Sequence, residues 1–354
     1  LGLLPSFYKL LDVFTQLPAP SVLRFTVKNV FKRSAVALTA MLVLGLASAS
    51  SPDQAVPPLT FKAGNVTLLD LAVVGKTLIA VGERGVVMRS EDGGRSWAGQ
   101  LTASSRTLTA VVFLNDKVGV AVGHGGTILR TEDAGAHWSL VEVKEIGRDA
   151  VLGVTALKNG DLVACGAFGM YLVSQDQGKT WARQSVIAED FDRHLSKVIE
   201  AGSSLMLVGE TGVIARSTDG GKNWAQLKTP YAGSYFDILE LKSGALLALG
   251  MRGNIYRSKD QGANWEQVPF PSKATLNGGA VASDGRVVLA GNRGLIAVSA
   301  DDGLTFTLSQ APEGTSIARA RLLDDGTLVY TGHMAAGRLS VRSEPAGAAT
   351  SSKP

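Results

Sequence analysis

The octet STDGGKNW, residues 217–224, places a hydroxyl, a carboxylate and an indole within eight positions. Such a group could supply an acid, a base or oxygen ligands for a cation. Other residues with chemical potential are few. Cys165 is the only cysteine of the 354-residue chain, so no intramolecular disulfide can form. It lies in the apolar run LVACGAF with no neighbour in sequence to lower a thiol pKa, and reads as a small buried hydrophobe. Of the four histidines, His137 falls inside a copy of the octet and reads as exposed turn.

The octet recurs, and the recurrence decides what it is. SEDGGRSW begins at Ser90, TEDAGAHW at Thr131, SQDQGKTW at Ser174, SKDQGANW at Ser258 and SADDGLTF at Ser299. The aspartates Asp92, Asp133, Asp176, Asp219, Asp260 and Asp301 stand 41, 43, 43, 41 and 41 residues apart. Each copy ends in an aromatic residue: Trp97, Trp138, Trp181, Trp224, Trp265 and Phe306. A period near 42 residues is that of a repeat architecture. Six equivalent carboxylates spread around a ring cannot converge on one substrate, and none has the run of oxygen ligands a calcium loop needs. The octet therefore reads as a turn fastened by its own Ser and Asp, with Gly221 free to take φ > 0 and Trp224 burying its ring.

Upstream of each octet lies a second phrase: AVGERGVVMRS, AVGHGGTILRT, ACGAFGMYLVS, LVGETGVIARS, ALGMRGNIYRS and LAGNRGLIAVS. Apolar runs of four to six residues bounded by glycine turns predict strands, and the preceding stretch adds another hairpin. Four antiparallel strands per unit make a propeller blade. Six units span roughly residues 66 to 311, and a seventh from Thr315 supplies three strands without an octet. VPPLTF, residues 56–61, has no partner of its own and is expected to be the missing outer strand, where Pro57 and Pro58 suit an edge. The expected fold is all-β: a seven-bladed propeller over residues 55–343, closed by strands from both ends of the chain, followed by a disordered tail at 344–354.

The octet resembles the Asp box, or bacterial neuraminidase repeat. Regular spacing, a single seven-bladed unit and the Gly-x-x-Gly phrase resemble the photosystem II stability/assembly factor family over about residues 55–343. The resemblance implies a scaffold without catalytic activity or cofactor, holding a newly made membrane subunit; it does not imply a photosynthetic host. A sialidase-like glycoside hydrolase is the alternative, since sialidases carry Asp boxes too. No Arg-Ile-Pro phrase of the kind that opens sialidase domains is present.

The pI of about 9.1 and net charge of +4 invite a nucleic-acid partner. Yet Lys9, Arg24, Lys28, Lys32 and Arg33, five of the 35 basic residues, precede residue 50 with only Asp12 against them. The rest of the chain is balanced, so nucleic acid is not expected. Residues 24–49 read as a secretory signal peptide: a basic start, an apolar stretch from Ala35 to Leu46, and Ala47-Ser48-Ala49 as a cleavage site. Residues 1–23 are expected to be an untranslated or disordered extension. The mature protein is expected to be periplasmic or secreted, and not membrane-spanning.

If the octets occupy one face of the disc, the Gly-x-x-Gly turns occupy the other. Their variable residues are Glu83 and Arg84, His124, Ala167 and Phe168, Glu210 and Thr211, Met251 and Arg252, Asn292 and Arg293, and His333 and Met334. Arg84, Arg252 and Arg293 are candidates to grip a carboxylate or an acidic segment of a protein partner. A metal shared by His124 and His333 is not expected, and no metal site is assigned. Glu83 and Glu210, in blades 1 and 4, are too far apart for a glycosidase pair. His194 and Tyr235 are expected in links between blades on this face.

Overall fold

The computed structural model describes residues 62–340, built from seven antiparallel sheets. Six have four strands in simple up-and-down order, and the last has three. Their inner strands are Leu68–Val74, Leu108–Phe113, Val151–Ala156, Leu195–Ala201, Tyr235–Glu240, Leu276–Val281 and Ile317–Leu322. Each inner strand packs on the next, and Ile317–Leu322 packs back on Leu68–Val74, so the ring is closed. The protein is an all-β seven-bladed propeller of antiparallel blades. Residues 56–61, expected as the fourth strand of blade 7, lie outside the described residues, as do the signal segment and the tail. Among the described residues, no helix is long and apolar enough to cross a membrane.

Each second strand is an uninterrupted buried run, such as Leu246–Gly250, because both its faces are covered by neighbouring blades. The hydrophobic clusters accordingly lie between blades. One holds Val120 and Ile128 of blade 2 with Leu162, Leu172 and Trp181 of blade 3.

The octets are the hairpins between third and fourth strands, as their sequence predicts. In all six, the first Ser or Thr hydroxyl donates to the aspartate Oδ1 at 2.8–2.9 Å. The same hydroxyl accepts the N–H of the box glycine at 2.8–3.0 Å. Oδ1 also accepts the N–H four residues on, and Oδ2 takes that residue's side chain, as from Asn223 to Asp219 at 2.7 Å. Gly221 has φ of +90°, and Trp224 donates its indole N–H to the Gly221 carbonyl at 3.0 Å.

The ring is buried against the preceding blade. Trp224 stands edge-on to Tyr171 of blade 3, with centroids 5.5 Å apart. A Cβ on Gly178 would lie 2.6 Å from Val120 of blade 2, and one on Gly262 would lie 2.7 Å from Leu227 of blade 4. The octet is therefore a fastening between blades as well as a turn. Truncating an aromatic ring so placed costs about 3–5 kcal/mol.

Candidate functional site

The Gly-x-x-Gly turns join second and third strands at the opposite end of each blade from the octets. Their geometry explains the glycines. A Cβ on the first glycine would meet the carbonyl of the residue preceding the inner strand: Thr67 at 2.0 Å from Gly82, and Ala150 at 2.1 Å from Gly166. The N–H of the next residue donates to that carbonyl, as from Glu83 to Thr67 at 3.0 Å and from Glu210 to His194 at 3.0 Å. The second variable residue and the second glycine are both left-handed, for example Arg84 at +56° and Gly85 at +69°. Two such residues in succession make a tight hairpin turn of primed type. The link to the next blade crosses directly over the second glycine, so that a Cβ on Gly85 would lie 1.7 Å from the Ser104 carbonyl. The phrase is required by close backbone approach, and only its two middle positions are free to vary.

Those middle positions divide by direction. The first is partly sheltered at Glu83, Glu210 and Asn292, where its side chain is hydrogen-bonded, and exposed at His124 and His333. Glu83 Oε1 accepts the Thr67 N–H at 3.2 Å, and Glu210 Oε1 accepts the His194 N–H at 3.0 Å. The two carboxylates of these turns thus serve local backbone in blades 1 and 4 and do not form a pair. Asn292 Oδ1 accepts from Asn277 at 3.0 Å and from Ser316 at 2.7 Å, joining blades 6 and 7. His333 Nδ1 lies 3.1 Å from the Thr67 hydroxyl, joining blades 7 and 1. His124 is exposed in blade 2. Among the described residues no cluster of His, Cys, Asp and Glu has the arrangement of a metal site.

The second middle position points outward. Arg84, Phe168, Arg252, Arg293 and Met334 are all exposed, Phe168 at 54% and Met334 at 51%. Among the described residues, Arg84, Arg252 and Arg293 enter no ion pair. The structure places Arg252 and Arg293 on neighbouring blades and Arg84 two blades further on, with Met334 between them. Phe168 packs edge-on against His194, with centroids 5.0 Å apart, and its N–H donates to His194 Nδ1 at 3.2 Å.

A cleft of about 430 Å³ opens beside Arg293, lined also by Ser272, Lys273, Asn292 and Gln310. Lys273 was not singled out from the sequence. Its link folds back over the turn of blade 5, where a Cβ on Gly253 would lie 1.9 Å from the Ser272 carbonyl. Tyr235 departs from expectation. It is no link residue but the first residue of an inner strand, fully buried against Tyr231 and Tyr256. Its large ring fills the space between blades 4 and 5, and burial pushes its phenol pKa up. Cys165 is buried as expected, and desolvation raises its thiol to about 12, so it is inert as a nucleophile at neutral pH.

Sequence reasoning also passed over the arginine that precedes the octet in four of the six phrases. Arg130 Nε donates to the Gln177 carbonyl at 2.7 Å, Arg216 to that of Gln261 at 3.3 Å and Arg257 to that of Asp302 at 3.1 Å. Each reaches from one blade into the octet of the next. The recurring Arg-Ser and Arg-Thr pairs were the signal that could have revealed them.

Fold and repeats together define the class: a single seven-bladed propeller with Asp-box hairpins. A family model described as photosynthesis system II assembly factor YCF48 matches residues 136–294. Among solved structures, YCF48 bound to a D1 peptide is similar with a TM-score of 0.65 at 20% identity, covering 83% of this chain and 100% of that one. YCF48 from Cyanidioschyzon merolae is similar with a TM-score of 0.61 at 18% identity, over 76% of this chain and 94% of that one. A catalytically inactive virginiamycin B lyase from Staphylococcus aureus with quinupristin gives 0.61 at 14% identity, over 80% and 98%. At these identities the likeness is one of fold. No curated protein matches the sequence. The chain is an all-β seven-bladed propeller, and over residues 136–294 it is similar to the photosystem II assembly factor family.

Proposed function

We propose that this chain is an exported, non-catalytic scaffold that holds a membrane protein or its assembly intermediate on the face carrying the Gly-x-x-Gly turns. The observation that carries the reading is the set of three exposed arginines without ion-pair partners, Arg84, Arg252 and Arg293, on an otherwise regular disc. A guanidinium fork held on a tight turn binds carboxylates in two-pronged fashion, and the Arg293 cleft has Lys273 to support it. The match to an assembly-factor model supports a partner-holding role, as does the likeness to a relative described with a D1 peptide. The apolar stretch before Ala47-Ser48-Ala49 supports export to the periplasm or beyond.

The triple substitution Arg84→Ala, Arg252→Ala, Arg293→Ala tests the face. All three side chains are exposed, so the melting temperature should stay within a few degrees of the parent. Capture of partner from detergent-solubilised membranes should fall at least tenfold. Undiminished capture by a folded triple variant would remove this face from the function.

A further inference from the structure

The inner strands carry a second set of charges, away from the turns. The third residues of these strands line up around the channel as Asp70, Ala110, Gly153, Lys197, Asp237, Gly278 and Arg319, and Arg321 stands two further along its strand. On the octet face the channel opens into a cavity of about 930 Å³, whose lining includes Asp70, Thr155, Lys197 and Arg321.

The acceptors in this neck are already taken. Asp70 Oδ1 accepts the Leu71 N–H and the Arg319 Nε–H, and Oδ2 accepts the Val111 N–H. Asp237 accepts the Ile238 and Gly279 N–H groups, one on each oxygen. The donors are not. Among the described residues Lys197 makes neither an ion pair nor a side-chain hydrogen bond. Arg321 donates from Nη1 to the carbonyl of Ala320, and its Nη2 is 4.0 Å from Asp70, which Arg319 already holds. Three cations thus face two carboxylates at the neck, and the two loosely held cations, on blades 4 and 7, come from opposite walls of a seven-membered ring. The cavity mouth carries Lys76, Arg95 and Arg338 against Glu91, Asp92, Asp324 and Asp325, so the excess of positive charge is confined to the neck. Three cations sharing two carboxylates leave one positive charge uncompensated in a partly desolvated channel, and a small anion relieves that cost.

We propose that the channel binds a small soluble oxyanion with two or more negative charges, of inorganic phosphate or short dicarboxylate type, clamped between Lys197 and Arg321. This site lies toward the opposite face from the arginine turns and does not depend on the partner-holding role.

Calorimetric titration of the full chain with sodium phosphate and with sodium succinate, against sodium chloride at matched ionic strength, tests it. Saturable binding with a dissociation constant of about 1 mM or tighter is expected for one or both anions. Phosphate binding alone assigns a phosphate-type ligand, and succinate binding alone a dicarboxylate. Lys197→Gln should weaken binding at least tenfold, Lys197→Arg should retain it, and the exposed Lys259→Gln should leave it unchanged. Circular dichroism melts of each variant establish that it is folded. Failure of both anions to bind saturably would overturn the proposal, as would equal binding by the parent and a folded Lys197→Gln.

Discussion

Glycines that look alike in the sequence do different work. Gly85 and Gly220 are both left-handed, at +69° and +74°. A Cβ on Gly85 would run into the Ser104 carbonyl at 1.7 Å, whereas one on Gly220 would meet nothing within 4 Å. Alanine at residue 220 should therefore cost only the strain of a left-handed non-glycine residue, about 1 kcal/mol. Gln177, Gln261 and Asp302 accept that conformation at the equivalent octet position. Alanine at residue 85 must also displace the link to blade 2, and should cost about 3 kcal/mol or more. Urea unfolding of Gly85→Ala beside Gly220→Ala measures the contrast, and equal losses would refute it. The sequence shows both glycines but only the octet's internal logic. What Gly82 and Gly85 avoid is a carbonyl contributed by another segment, and no local pattern encodes that contact. The same limit misplaced Tyr235: PYAGSYF reads as a loop, yet its last Tyr opens an inner strand and is packed by Tyr231 from the link itself.

At the level of the element, the octet was legible because its hydrogen bonds close within five residues. Its role between blades was not, since Val120 beneath Gly178 and Tyr171 against Trp224 lie some 50 residues upstream. The hydrogen bonds have a pH consequence. In Asp219 the Asn223 side chain, the Asn223 backbone N–H and the Ser217 hydroxyl hold the carboxyl at about 2. Asp260 is held at about 2 by the backbone and side chain of Asn264 and by Ser258. Asp133 and Asp176 also lie at about 2, where hydrogen bonds outweigh desolvation, and Asp92 and Asp301 are lowered as well. A depressed carboxylate stabilises the fold above its unfolded pKa, near 4, and that stabilisation is lost as pH falls through the folded value. Six octets lose it together. The urea midpoint should be level from about pH 7 to 5 and fall steeply between about pH 4 and 2. Asp219→Asn should begin lower and fall less over the same window. A midpoint indifferent to pH down to about 2 would show that the boxes do not hold the blades through their ionised form.

The whole molecule depends on closing a ring, and although closure was expected, the ion pair at the seam between blades 7 and 1 was invisible to sequence reading. Arg319 and Asp70 are 249 residues apart, yet Arg319 Nε donates to Asp70 Oδ1 at 3.0 Å, and its Nη1 donates to the Asn277 carbonyl at 2.6 Å. Asp70 in turn accepts the Val111 N–H at 2.9 Å. One buried ion pair therefore links blades 6, 7, 1 and 2. Gly278 makes room for it, since a Cβ there would fall 1.9 Å from the guanidinium. Elsewhere neighbouring inner strands are tied more simply, as by Thr109 to the Val151 carbonyl at 2.7 Å and Thr155 to the Val198 carbonyl at 2.6 Å. Breaking a buried pair from one side leaves the other charge without its partner, at a cost of about 3–5 kcal/mol. Arg319→Met should show that loss in urea unfolding at pH 7. Adding Asp70→Asn should recover part of it, because the stranded charge is gone and an amide oxygen can still accept a backbone N–H. If the double variant is no more stable than Arg319→Met alone, the seam is held by apolar packing of Leu71, Val329 and Ala336, and the ion pair only accompanies the closure.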